Sequence, residues 1–175
     1  MRRMQRDEIK QEAALEEKVI PRKDEVIMPE FLETTHDKFI FKVKTGYFYT
    51  EDDYWVDIKD AIATVGVTDY LQKSGGDVAF VEPGAPGKVV EKGDELGEIE
   101  TIKTTMGLVS PVAGKISEIN EKLAAQPELI NNDPYGEGWI YRIELADPGN
   151  AARHFLQAGQ YLEFIKGKLE KWSAV

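Results

Sequence analysis

One ten-residue unit recurs in outline. Gly87-Lys88-Val89-Val90-Glu91-Lys92-Gly93-Asp94-Glu95-Leu96 can be laid on Gly114-Lys115-Ile116-Ser117-Glu118-Ile119-Asn120-Glu121-Lys122-Leu123 at an offset of 27 residues. Gly, Lys, Glu and Leu coincide at four of the ten places, and Val89 and Ile116 are a conservative match. Gly93 and Asn120 share the place where a turn calls for positive φ, which these two residue types tolerate best. This reads as a duplicated strand–turn unit. Two such copies related by a pseudo-twofold axis predict a flattened, all-β sandwich, with the segment between them projecting from one end.

That segment is 97–114, and Lys103 stands near its middle. Ile99 and Ile102 precede it, and Leu108 and Val109 follow it. Both flanks read as short strands, which places Lys103 at the tip of a hairpin. Thr101, Thr104 and Thr105 are polar and β-prone, as expected of an exposed hairpin. A lysine deep in a pocket can lose its charge and act as a base or Schiff-base former. Water keeps a lysine at an exposed turn protonated, but a modifying enzyme can reach it. Acylation would turn it into a long arm, whose cargo reaches an effective concentration on the order of millimolar at a docked site. The alternative is a bare surface lysine on an interaction protein.

The rest of the composition narrows the chemistry. With no cysteine, disulfides, thiol catalysis and thiolate metal sites are excluded. His36 and His154 are far apart, so no metal site is expected. Glu98 and Glu100 share one face of a strand, but no histidine or pocket accompanies them, which argues against an enzyme. No apolar run reaches 18 residues, so no membrane span is expected. The basic start, Met1 to Arg6, leads into acidic residues rather than an apolar core, unlike a signal or transit peptide. A cytoplasmic location follows. Residues 46–148 carry 20 Asp/Glu against eight Lys/Arg. A surface at −12 repels nucleic acid and anionic membrane and suits solubility or docking to basic proteins.

Along the chain, residues 5–20 show a thin apolar stripe that predicts a marginal helix, ended by Pro21. Phe39, Phe41 and Val43 alternate with lysines, a strand pattern. Tyr47–Tyr49, Tyr54–Ile58, Ala61–Val67 and Asp77–Glu82 read as strands, with Glu51-Asp52-Asp53 a turn. Thr68 is placed to cap a short helix, Asp69 to Lys73, that Ser74-Gly75-Gly76 ends. Residues 126–138 read as loop. Trp139, Tyr141, Ile143 and Leu145 alternate as a half-buried strand. Tyr161, Phe164, Ile165, Leu169 and Trp172 mark one face of a terminal helix packed on the domain.

The order and spacing of several pieces then become specific. Tyr49 with Trp55-Val56, Val65-Gly66-Val67-Thr68-Asp69-Tyr70, Gly76-Asp77, Glu100-Thr101-Ile102-Lys103, Ser110-Pro111-Val112-Ala113-Gly114 and the run Pro127 to Trp139 resemble, over residues 47–145, the glycine cleavage system H protein family. The resemblance implies a mostly β fold: a lipoyl/biotinyl-type flattened β-sandwich, or barrel-sandwich hybrid, with a short internal helix and a C-terminal helix. The domain scheme expected for this chain makes 1–45 an N-terminal extension that an ordinary member of the family lacks, partly helical or flexible with a possible extra strand, 46–148 the carrier domain and 149–175 the packed helix. It implies a carrier subunit rather than an enzyme, with lipoate joined by an amide to Lys103 as N6-lipoyllysine. Biotin is the rival cargo on this fold, but biotinyl sites usually have methionine on both sides of the lysine, where this chain has Ile102 and Thr104.

The partners implied are a lipoate ligase or lipoyl transferase, then glycine decarboxylase, aminomethyltransferase and dihydrolipoyl dehydrogenase, served by a monomer. The chain departs from the family at Asp53-Tyr54, where His-Glu is usual, and at Met106-Gly107, where Ser-Glu is common. An H-like lipoyl carrier of another pathway, such as sulfur oxidation with a heterodisulfide-reductase-like complex, is the alternative.

Overall fold

The computed structural model describes residues 27–172, so the helix expected over 5–20 lies outside the described residues. β1 (Phe31–His36) and β2 (Phe39–Lys44) form an antiparallel hairpin. β2 follows from the alternation of Phe39, Phe41 and Val43. β1 carries no such alternation, and its conformation comes from pairing with β2.

Seven strands form the larger sheet. In spatial order they are β12 (Leu156–Gln157), β3 (Phe48–Tyr49), β4 (Tyr54–Lys59), β5 (Ile62–Val67), β11 (Tyr141–Leu145), β10 (Gly114–Ile119) and β7 (Val89–Val90). A second sheet holds β6 (Val78–Glu82), β8 (Glu95–Thr101) and β9 (Thr105–Val109). The inward residues of both sheets, among them Val56, Val65, Ile116 and Ile143 from the larger and Val81, Ile99 and Leu108 from the smaller, share one buried core. This is the flattened sandwich that the repeat predicts.

The two repeat copies pair with each other. β7 and β10 run antiparallel, with Val90 opposite Gly114 and Val89 opposite Lys115. The turn chemistry corrects the expectation, however. Gly93 has φ +91°, but Asn120 has φ −79° and caps a 3₁₀ turn, Glu121–Ala124, by accepting the Lys122 N–H. The second copy therefore leaves its strand into a helical turn, and the asparagine serves through its side chain rather than through a left-handed backbone.

Three helices complete the described residues. α1 (Asp69–Gly75) has Thr68 as N-cap, its hydroxyl accepting from the Leu71 N–H, and Gly76 as C-cap. α2 (Leu129–Asn132) interrupts the stretch 126–138 that reads as loop. A single turn is too short to show the period of a helix. α3 (Ala158–Leu169) buries Tyr161, Ile165 and Leu169, as its stripe predicts. Trp172 lies beyond its end and packs on Phe39 and Phe41 instead.

The larger sheet is covered on its second face too. Successive side chains of a strand point to opposite faces: Tyr54 and Val56 enter the sandwich core, while Trp55 enters a second cluster with Phe41, Val43, Tyr49, Tyr161, Ile165 and Leu169. Tyr49 stacks on Tyr161 at 4.5 Å between ring centroids. The Tyr161 hydroxyl donates to Asp53 (2.8 Å), which also takes the Lys168 ammonium at 2.8 Å. Burial pushes the Asp53 carboxyl above the usual range, and these two partners offset only part of that rise. The β1–β2 hairpin is tied on by the Tyr135 hydroxyl, which donates to the Lys42 carbonyl, and by the Lys42 N–H, which donates to Asp69.

Gly66 makes this second layer possible. It pairs directly with Trp55 across β4–β5, and a Cβ there would meet the indole at 2.6 Å. The indole is held in place by donating its N–H to the Pro134 carbonyl at 2.8 Å. Gly66→Ala is therefore expected to lower unfolding free energy by about 1–3 kcal/mol through overpacking. Denaturant unfolding of both proteins checks this, and equal midpoints would show that the Trp55 layer has slack.

Candidate functional site

Lys103 sits between β8 and β9, exposed, at the tip of their hairpin. It makes no ion pair with a carboxylate among the described residues. The tip is held by a side chain that reads from sequence as merely exposed and polar. Thr101 is 6% exposed. Its hydroxyl donates to the Thr104 carbonyl (3.1 Å) and accepts from the N–H groups of Lys103 (3.2 Å) and Thr104 (3.1 Å). The Thr101 N–H also donates to the Thr104 carbonyl at 2.8 Å. One threonine thus satisfies backbone groups that a tight turn would leave to water.

The other side of the turn rests on the end of α1. The Ile102 N–H donates to the Asp77 carbonyl at 3.0 Å. Gly76 has φ +83°, and a Cβ on it would stand 3.4 Å from Lys103 Cδ and from Ile102 Cγ1. The lysine's methylene stem therefore crosses bare backbone. Asn131, on α2, locks this platform. It accepts from the Val78 N–H (2.8 Å) and donates to the Gly76 carbonyl (3.2 Å) and to Gln72 Oε1 (3.1 Å). Sequence reasoning misses Asn131 because it lies far along the chain and in a stretch that reads as loop.

At the base of the hairpin the Val109 N–H donates to the Tyr54 hydroxyl at 3.1 Å, and burial raises the Tyr54 pKa. A groove of 210 Å³ beside it is lined by Tyr54, Ser110 and His154 among others. Ser110 and His154 do not form a nucleophile–base pair: the Ser110 hydroxyl is buried and donates to the Val112 carbonyl at 2.6 Å. Glu98 and Glu100 are both exposed on the outer face of the smaller sheet, away from any such group. Among the described residues no cluster of three or more His, Asp or Glu could hold a metal ion. What the site offers is one accessible primary amine on a stiff turn, with space around it for an acyl chain.

Thr101→Val is expected to speed amide hydrogen exchange at Lys103 and Thr104, by the equivalent of about 1–3 kcal/mol of local protection. Thr101→Ser keeps the hydroxyl and should leave exchange near the wild-type rate. Unchanged protection in the valine variant would show that something other than Thr101 holds the turn.

The same architecture and spacing recur in known proteins. The family described as Glycine cleavage H-protein matches residues 47–168. A probable glycine cleavage system H protein of Aeropyrum pernix is 43% identical over 130 residues, covering 74% of this chain and 90% of that one. The glycine cleavage system H protein of Thermotoga maritima is 43% identical over 116 residues, covering 66% and 93%. The crystal structure of a glycine cleavage system H protein from Mycobacterium marinum superposes with a TM-score of 0.63 at 31% identity, covering 72% of this chain and 98% of that one. The sandwich is accordingly of the lipoyl/biotinyl type, and the chain belongs to the glycine cleavage H-protein family.

Proposed function

We propose that this protein is the lipoyl carrier of a glycine cleavage system, with lipoate amide-linked to Nζ of Lys103. The observation that carries this reading is the framed, exposed turn that presents Lys103, in a chain 43% identical to a named glycine cleavage system H protein. The chain's own residues fit such a group. The amine is free of carboxylate partners among the described residues, and Gly76 leaves the stem unobstructed.

Thr101 and Asn131 hold the attachment point still, so the freedom of the arm lies in the arm itself. Bound lipoate would supply reversible disulfide–dithiol chemistry, which a chain without cysteine cannot provide. Tethering replaces free diffusion of the cargo with an effective concentration on the order of millimolar at each docked enzyme. The protein is thus a carrier subunit and not itself an enzyme.

Its partners are a lipoate ligase or lipoyl transferase, glycine decarboxylase, aminomethyltransferase and dihydrolipoyl dehydrogenase. Residues 46–148 form the carrier domain, 149–175 carry its packed helix, and 1–45 are the extension whose β1–β2 hairpin closes the second core. No helix of the described residues is long and apolar enough to cross a membrane, and the proposed location of the carrier is cytoplasmic.

Lys103→Arg keeps the charge but offers no amine for stable amide formation. In a reconstitution with the three cleavage enzymes, glycine-dependent turnover is expected to fall to background, while the thermal unfolding midpoint stays at the wild-type value. Turnover that survives the substitution would remove Lys103 from the mechanism.

A further inference from the structure

The second layer covers only part of the larger sheet's outer face. Past Trp55 that face opens into a groove of 440 Å³ across β4, β5 and β11. Tyr47, Ile62 and Trp139 line it, each half-buried, and Asp57, Lys59 and Arg142 bring charge to it. Tyr47 stacks on Trp55 at 5.0 Å, and the Arg142 guanidinium lies over the Trp139 ring at 4.2 Å, so both aromatic walls are held by neighbours. The described chain begins at the mouth of this groove. The Thr45 hydroxyl donates to the Pro29 carbonyl (2.6 Å), and the Thr45 N–H donates to the Glu30 carbonyl (3.0 Å). The Glu30 carboxylate takes the Lys44 ammonium at 3.0 Å, and that ammonium lies 5.5 Å from the centre of the Tyr47 ring. Directly ahead of Pro29, Ile27 and Met28 are 72% and 65% exposed. Two large apolar side chains thus stand beside an uncovered apolar wall.

We propose that residues 19–26 of this same chain lie across the groove and cover the bare part of the face. Their sequence is Val19-Ile20-Pro21-Arg22-Lys23-Asp24-Glu25-Val26, and they fall outside the described residues. Connectivity selects this occupant, because the segment is delivered to the mouth of the groove by the chain itself. A tether gives an effective concentration on the order of millimolar, so a contact with a Kd of about 0.1 mM between separate molecules keeps the segment seated about nine-tenths of the time. Length permits it: from β3 to β11 is three strand spacings, about 14 Å, and eight extended residues span up to about 28 Å. Chemistry matches along the path. Val26 with Ile27 and Met28 meets Tyr47. Asp24 and Glu25 come within reach of Lys59, whose side chain is 80% exposed, and Arg22 and Lys23 within reach of Asp57. Val19 and Ile20 then arrive at Ile62 and Trp139. Nothing in the proposal depends on lipoylation of Lys103.

The test uses the full chain, which has no cysteine and only three tryptophans. Lys18→Cys therefore accepts a single nitroxide label, just beyond the proposed segment, and the indole N–H resonances of the nitrogen-15-labelled protein report where the label goes. Trp139 should lose its indole signal several-fold or entirely while the nitroxide is oxidised and regain it on reduction. Trp172, which packs on His36 and Phe39 at the turn end of the β1–β2 hairpin, should keep its signal. Adding Ile20→Ser and Val26→Ser to the labelled chain removes the apolar contacts without touching the described fold, and should restore the Trp139 signal. An undiminished Trp139 signal in the first protein overturns the proposal, since the groove is then open to some other molecule. Equal loss with and without the two serines also overturns it, because tethering alone would then explain the effect. In a mixture of spin-labelled chains without nitrogen-15 and nitrogen-15-labelled chains without the nitroxide, Trp139 should be unaffected. Loss of its signal there would give the groove to a second copy instead.

Discussion

The Trp55 indole lying on Gly66 is the contact that the architecture depends on. A sheet whose two faces are both buried needs a flat place for a large ring, and glycine supplies it on the strand beside the tryptophan. With the indole down, Tyr49, Tyr161 and Ile165 can close over it, and α3 and the β1–β2 hairpin gain a surface to pack on. The opposite face of the same strands builds the sandwich core with β6, β8 and β9. One strand, β4, therefore feeds two cores through consecutive residues.

Rigidity passes from these cores to the lysine through a short chain of polar contacts. α1 leaves β5 behind Thr68, whose hydroxyl also bonds to Tyr161 at 2.8 Å in the second core. It ends at Gly76, where Asn131 from α2 fixes the carbonyl and the following strand. Asp77 then holds Ile102, and Thr101 holds Lys103 and Thr104. A carrier needs its tether point fixed and only its arm mobile, because looseness in the protein adds to the volume the cargo explores and lowers its effective concentration. The geometry provides that division of labour.

Much of this was legible in the residues where the deciding force is local. Alternation marks β2 and β11, aromatic and β-branched composition marks β4, a capping threonine and a diglycine bracket α1, and the apolar stripe marks α3. The family motif marks Lys103. The rest depends on distant partners. β1 exists because β2 pairs with it. α2 is one turn, below the length at which periodicity speaks. Asn120 tolerates positive φ, yet its side chain finds the carbonyls of Glu137 and Trp139, and the backbone stays extended. Thr101 looks like any exposed hairpin threonine until the turn folds over its hydroxyl. Asn131 acquires its role only when α2 meets α1.

The central claim is that Lys103, alone among the lysines, carries lipoate. Peptide mapping by mass spectrometry of the protein purified from its native host tests this most directly. The account predicts one lipoyl group on the peptide that contains Lys103 and none elsewhere. A lipoyl group on a different lysine, or native protein in which Lys103 is bare throughout, would contradict it.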